Sequence, residues 1–325
     1  MASIKDVARR ANVGVGTVSR ALNGTGYVSE ETRKRVEAAA KELNYIPNEL
    51  ARNLFRKRTG IIGVVIPNLD NPFFSRFTKD IEVELFKRGY KTMVCNTIGI
   101  SNREKEFLDM LQRNIVDGII TGAHSLENEE YLKNNKPIVS LDHDFGSKIP
   151  MISSDHKKGG RLAAEKLIEN GCKNVLQFAG YSKVNMRAND RHAEFRKVME
   201  QNHVKVTTVE TAWNEFSYDY YKDAVLKCMK EYPDIDGVFA ADIPAIYFLN
   251  NARENGILVP QDLKIVAYDA MSITRITYPV ITAVAQDVEK LAEACVNTMM
   301  DLIAGKKVPE RQILDVKMQN GGTTL

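Results

Sequence analysis

Aromatic rings and forked charges gather just beyond short apolar runs of this chain. Asn71, Pro72, Phe73 and Phe74 follow "IIGVVIP", Asp142 closes "PIVSLD", Arg187 and Arg191 come after "KNVLQFAG", and Asp269 closes "LKIVAYD". Trp213, the single tryptophan, precedes a helical stretch. Such rings can cover the C–H faces of a polyhydroxylated molecule, while carboxylates and guanidinium groups bind its hydroxyls in pairs. Lys183, Arg187 and Arg275 could add positive potential for a phosphate on that ligand. The same residues also have plain readings: Phe73, Phe74 and Trp213 in a core or between subunits, Arg191 and Asp269 as an ion pair across two lobes.

Catalysis has no comparable seat. The sequence holds no GxSxG, HExxH or GxxxxGK[ST], and no glycine-rich dinucleotide fingerprint follows its first apolar run. His124, His143, His156, His192 and His203 lack metal-ligand spacing, and neighbours in the "DHD" of Asp142, His143 and Asp144 would face opposite ways on an extended segment. Gly159 and Gly160 suit close helix packing better than phosphate binding. Cys95, Cys172, Cys228 and Cys295 lie far apart without a CxxC, which fits reduced, buried thiols. No catalytic residue, metal or cofactor is therefore expected.

Elements that could position the aromatic and charged groups follow from the hydrophobic pattern. "IIGVVIP", "KTMVCN", "VDGIIT", "PIVSLD", "KNVLQFAG", "DGVFAA" and "LKIVAYD" are short runs rich in Val and Ile, mostly separated by amphipathic stretches such as "FFSRFTKDIEVELFKRG". That alternation predicts an α/β fold with parallel sheets covered by helices. Two sheets fit better than one, split near Ser154. Ligands of open α/β sheets sit beyond the carboxyl ends of the strands, so the pocket is expected in the cleft between two lobes.

The first sixty residues differ from the rest. They carry 12 Lys or Arg against 6 Asp or Glu, a net +6, and with +3 overall the remaining chain carries −3. A basic segment on a mildly acidic body is the pattern of a segment that meets a polyanion. Ser3 and Asp6 form a capping-box-like start for a helix from Ile4 to Ala11, Asn12 to Gly14 a tight turn, and Val18, Ala21 and Leu22 the stripe of a second helix. Ser29 caps a third, with Val36, Ala39, Ala40 and Leu43 on one face. Three short helices around one small core make a helix-turn-helix, whose second helix fits the major groove of DNA. Val15 and Gly16 lead that helix, and Arg20 has a fork suited to guanine. Lys5, Thr17, Ser19 and Asn23 suit phosphate contacts. A small bundle that binds protein is the competing reading.

Beyond it, Pro47 ends the third helix and Asn48 caps a segment of about eight residues with Leu50, Ala51 and Leu54 on one side. Isolated helices shorter than about 12–15 residues are marginal in water, so this segment needs partners: a second copy, and phosphates facing Arg52, Arg56 and Lys57. An ordinary linker is the alternative.

"IKDVARRANVGVGTVSRALN", "VSEETRKRVEAAAKELNYIPN" and "ARNLFRKRTGIIGVVIPN" resemble the lac-repressor (LacI/GalR) family of bacterial transcription regulators, over essentially the whole chain. "NPFF", "GYKTMVCNT", "REKEFLDML" and "VDGIITGAHSL" are most similar to its sugar-operon members. The resemblance implies a helix-turn-helix domain over 1–47, a hinge over 48–59 and a two-lobed, periplasmic-binding-protein-like body over 60–325. Lobe one would take about 60–154 plus 286–315, lobe two about 155–285 plus 316–325. It implies that paired hinge helices enter the minor groove with Leu54 as wedge, although Phe55 stands where many relatives have a polar residue. It also implies that Phe74, Arg191, Trp213 and Asp269 contact an effector, with Phe73 and Asp142 beside them, while Ala241 replaces a frequent asparagine. The expected protein is a homodimeric repressor that reads double-stranded operator DNA and answers to a small sugar or sugar phosphate of sucrose or fructose type. With no signal segment or membrane span it is expected in the cytoplasm, and with no heptad tail after "GGTTL", as a dimer. A regulator controlled by a phosphorylated carrier protein and a sugar-binding transport receptor are the alternatives.

Overall fold

The computed structural model describes residues 2–24, 26–46, 58–97, 102–123, 128–183, 186–212 and 215–325, and separates into two units, Met1–Thr59 and Gly60–Leu325. The hinge residues Arg52, Leu54, Arg56 and Lys57, together with His124 and Trp213, lie outside the described residues.

In the first unit, α1 (Ile4–Ala11), α2 (Val15–Asn23) and α3 (Glu30–Glu42) enclose a core of three valines and five alanines. These small side chains let short helices approach closely, and burying each valine contributes about 1.5–3 kcal/mol. The capping box is present in full: the Ser3 hydroxyl accepts the Asp6 N–H while the Asp6 carboxylate accepts the Ser3 N–H. Asn12 (φ 53°) and Gly24 (φ 66°) take the left-handed conformation that ends α1 and α2. Arg33 donates to the Ala21 carbonyl at 2.7 Å, tying α3 to the open C-terminal end of α2.

The second unit holds two six-stranded sheets. The first runs β11-β5-β4-β3-β1-β2, from β1 (Ile61–Ile66), β2 (Lys91–Asn96), β3 (Gly118–Thr121), β4 (Ile138–Leu141), β5 (Met151–Ser154) and β11 (Arg311–Leu314). The other runs β12-β10-β9-β8-β6-β7, from β6 (Asn174–Ala179), β7 (Lys205–Glu210), β8 (Gly237–Ala241), β9 (Lys264–Asp269), β10 (Thr282–Gln286) and β12 (Val316–Gln319). All pairings are parallel except that edge strand β12 runs antiparallel to β10, so the second sheet is mixed. Gln286 ends a strand of this second sheet, one residue beyond the expected limit of its lobe.

Helices cover both faces of each sheet. α4 (Pro72–Lys87) and α11 (Val288–Ile303) bury Phe77, Ile81, Leu85, Leu291 and Val296 against one face of the first; α5 (Arg103–Gln112) covers the other, and the short α6 (Asn128–Leu132) lies nearby. On the second, α9 (Tyr218–Glu231) and α10 (Asp242–Glu254) bury Val225, Phe248 and Leu249, while α7 (His156–Glu169) and α8 (Asp190–Gln201) bury Leu167, Phe195 and Met199 on the opposite face. The chain passes between the sheets after Ser154, after Gln286 and after Leu314. Among the described residues, no helix is long and apolar enough to cross a membrane. The four cysteines are buried and unpaired, and burial pushes the Cys95 and Cys228 thiols up to about 11 and Cys172 to about 12.

Candidate functional site

A cavity of about 170 Å³ lies between the carboxyl ends of the two sheets. It is lined from the first by Asn71, Phe73, Phe74 and Asp142, and from the second by Arg191, His192, Glu215, Phe216, Tyr221, Asp269 and Gln286.

Local capping sets the aromatic wall. Asn71 caps α4, its side-chain oxygen accepting the Phe73 N–H at 2.9 Å and the Phe74 N–H at 3.5 Å, with Pro72 preset at the first helical position. Phe73 is 7% exposed and packs parallel to Phe77, so it serves the core as well as the cavity. Phe74 stands edge-on to Phe73 at 5.3 Å and to Phe216, which also lines the cavity, at 6.5 Å.

The charged wall sits on strained strand ends. Asp142 (φ 60°), Asp269 (φ 107°) and Ala270 (φ 57°) have positive φ, costly for residues with a Cβ and concentrated where a site demands it. At Asp142 the chain is thus not extended, contrary to the alternating geometry expected for the "DHD" segment. A buried relay fixes this side chain. Asp142 Oδ1 accepts from the Ser153 hydroxyl at 2.6 Å and lies 2.9 Å from His156 Nε2, while His156 Nδ1 lies 2.9 Å from the Tyr268 hydroxyl. The relay therefore joins β4 of one sheet to β9 of the other. Burial works to raise the Asp142 carboxyl, but His156, Ser153 and Arg191 outweigh it and hold it below the usual range.

Arg191 lies over the Tyr268 ring, its guanidinium carbon 4.3 Å from the centroid. Arg191 and Asp269 thus both belong to the second sheet and its helices, and an ion pair across the lobes is ruled out as their role. Asp269 accepts from Gln286 Nε2 at 2.7 Å; burial raises its carboxyl, against the pull of Arg191. Behind it, burial and the Asp269 charge push Asp242 well above the carboxylate range, although it accepts the Ala270 and Met271 N–H groups. Burial, then Arg191 and Arg196, hold His192 well below the usual imidazole value.

The glycine pair has the packing role its sequence suggested. A Cβ at Gly160 would stand 2.1 Å from the Arg191 carbonyl oxygen, and one at Gly159 2.5 Å from the Tyr268 hydroxyl. Only glycine lets α7 approach near enough to seat both residues.

Of the candidates, Phe73, Phe74, Asp142, Arg191 and Asp269 meet at the cavity; Arg187 does not. It sits on a 3₁₀ turn (Arg187–Asn189) and donates to Asp190 at 3.1 Å. Lys183 lines an adjoining hollow beside Asp190 and Glu210, and Arg275 is exposed outside both linings. Ala241 lines the wall and offers no side-chain hydrogen bond. Sequence reasoning missed Glu215, Phe216, Tyr221 and Gln286. Only the four aromatics in the stretch "NEFSYDYY" gave any signal for the first three.

In the first unit Lys5, Val15, Gly16 and Arg20 are exposed, and Thr17, Ser19 and Asn23 are half-buried. Arg20 is held back on its own helix, donating from Nε to the Gly16 carbonyl at 3.2 Å, and Asn23 donates to Ser19. Tyr27, in the following loop, is 90% exposed and was not among the candidates.

Comparisons with known proteins agree with this architecture. Residues 3–48 match the model of bacterial regulatory proteins of the lacI family, and residues 164–324 that of the periplasmic binding protein-like domain. The sucrose operon repressor of Streptococcus mutans is 34% identical over 99% of both chains. The ribose operon repressor of Halalkalibacterium halodurans is 36% identical over 94% of this chain and 92% of its own. Among solved structures, the lac repressor dimer bound to operator and the anti-inducer ONPF superposes with a TM-score of 0.87, at 27% identity, over 100% of this chain and 99% of that one. Full-length identity of this order, with a matching helix-turn-helix segment, shows that the chain belongs to the lacI family of bacterial regulatory proteins.

Proposed function

We propose that the chain is a transcriptional repressor of a sugar-utilisation operon, released from its operator by a small sugar or sugar phosphate bound in the cavity. The observation that carries this reading is that one polypeptide holds both parts: an exposed Val15, Gly16 and Arg20 face on α2, and a cavity where Phe74 and Phe216 oppose Asp142, Arg191 and Asp269. Full-length similarity to sucrose and ribose operon repressors supports the sugar. The protein acts as a homodimer in the cytoplasm without catalysis, two α2 helices reading matched half-sites. Exposed Phe86, Ile276 and Tyr278 are apolar surface available to a second copy.

Control follows from the position of the cavity. A ligand held by both sheets favours one lobe angle, and only that difference in affinity can move the operator equilibrium. Passing from 1:99 to 99:1 takes about 5.5 kcal/mol of difference. Residues 48–59 carry the change to the reading unit in this proposal. The test is selection of binding sites from random duplex DNA, followed by fluorescence anisotropy on the selected site with and without sugars. Equal affinity for selected and random DNA, or binding indifferent to every sugar that the protein takes up, refutes it.

A further inference from the structure

We infer that the effector is an uncharged sugar rather than a sugar phosphate, an inference that rests on the sugar-responsive reading of this cavity.

Charge is the first ground. The described lining carries three carboxylates, Asp142, Glu215 and Asp269, against one guanidinium, Arg191, which is engaged with the Tyr268 ring. The other basic groups that could have received a phosphate are elsewhere: Arg187 is paired with Asp190, Lys183 and Arg196 line the next hollow beside Asp190 and Glu210, where Arg196 donates to Gln177 Oε1 at 3.0 Å, and Arg275 lines neither. Residues 98–101, 124–127, 184–185 and 213–214, outside the described residues, include no Lys or Arg and one further acid, Glu127. A phosphate monoester carries about −1.5 to −2 at neutral pH and would enter a lining of its own sign.

Hydrogen-bond polarity is the second, independent ground. Gln286 is 8% exposed, and its Nε2 donates to Asp269, which fixes the amide with Oε1 as acceptor. That Oε1 is buried without a partner. An orphaned buried acceptor next to carboxylates calls for donors, and sugar hydroxyls supply them. The phosphate group of a sugar phosphate, unlike the hydroxyls it shares with the parent sugar, offers only acceptors to Gln286 Oε1 and the carboxylates and, among the described residues, finds no donor at this end of the cavity.

The edge-facing rings of Phe74 and Phe216 leave an apolar strip for a sugar ring, consistent with an occupant that is polar but not charged.

The experiment measures binding to the full chain by calorimetry and thermal shift. One set holds fructose, glucose, ribose and sucrose; the matched set holds fructose 1-phosphate, fructose 6-phosphate, glucose 6-phosphate, ribose 5-phosphate and sucrose 6-phosphate. The expected result is at least one neutral sugar that raises the melting temperature and binds at least tenfold tighter than its own phosphate. Glu215→Gln, which keeps the acceptor that Ser217 uses and removes one charge, should narrow that gap about threefold or more. A phosphate that binds as tightly as its parent sugar, or a gap unmoved by Glu215→Gln, overturns the inference and leaves the sugar-responsive reading standing. If no member of either set binds, the sugar-responsive reading itself falls, and the inference with it.

Discussion

A methyl group added at Gly160 would lie 2.1 Å from the Arg191 carbonyl oxygen, 2.8 Å from its carbonyl carbon and 2.9 Å from its Cα. Ordinary contacts of a Cβ begin near 3.4 Å, so α7 and α8 must part by about 1 Å, and no rotamer change can relieve a clash with backbone. Two effects oppose each other in Gly160→Ala. Alanine improves helix propensity by about 1 kcal/mol, whereas overpacking of a tight interface costs about 1–3 kcal/mol and sometimes more. A 2.1 Å contact with backbone puts the cost at the upper end of that range, about 3 kcal/mol, so the clash should win with a net loss of about 2 kcal/mol, or roughly 4–8 °C in melting temperature for a unit of this size. The displaced atoms are those of Arg191, so its guanidinium moves with them and sugar affinity should fall about threefold or more. Thermal melts of the full chain, followed by sugar titration, read both. Gly180→Ala is the control for stability, because its new Cβ would be 3.6 Å from a side-chain oxygen of Asn189. A Gly160→Ala protein that melts at or above wild type would refute the account of how these helices seat the arginine.

His192 gives a pH prediction. Burial holds its folded value well below 6.5, so as pH falls through 6.5 the unfolded chain gains a proton that the folded chain does not, and stability is lost on acidification. Between about pH 7.5 and 5.5 the wild type should lose about 1 kcal/mol more than His192→Gln in urea titrations; parallel pH profiles would show that the ring is not buried neutral. Asn71→Ala removes the cap of α4 and should cost about 1 kcal/mol while weakening sugar binding through Phe73 and Phe74; a sugar affinity equal to wild type would detach the cap from the site. Arg20→Ala should relax base preference at one operator position by about 1–3 kcal/mol, measured by competition with single-base variants. A uniform loss across all variants would make Arg20 a phosphate contact instead.

The first unit was legible almost residue by residue, because its signals are local: a cap at Ser3, a tight turn at Asn12 to Gly14, and stripes at helical spacing. Most strands of the sheet interiors were legible for a similar reason, since burial on both faces favours unbroken Val and Ile runs such as "IIGVVI". Five strands were not. "KVTTVE", "RQIL" and "VKMQ" lie at sheet edges, where half-exposed positions accept Thr, Lys, Arg and Gln, and "MISS" and "TAVAQ" are too short and too mixed to stand out. Arg187 and Arg191 both come after "KNVLQFAG" and were expected to share the cleft. The 3₁₀ turn at Arg187–Asn189 changes the phase and sends Arg187 to Asp190.

The sequence by itself determined the parts with short range: a basic three-helix reading unit, α/β units in series, and reactive residue types parked at strand ends. It could do so because capping, turn geometry and hydrophobic period depend on neighbours within about one turn or one strand. Only the tertiary structure decided which of those residues share a cavity. Gln286, Glu215 and Phe216 join Asp142 and Arg191 because the two sheets bring their carboxyl ends together, and the buried Asp142–His156–Tyr268 relay exists only across that junction. Convergence of this kind depends on packing between segments more than a hundred residues apart, such as His156 and Tyr268, and no local pattern encodes it.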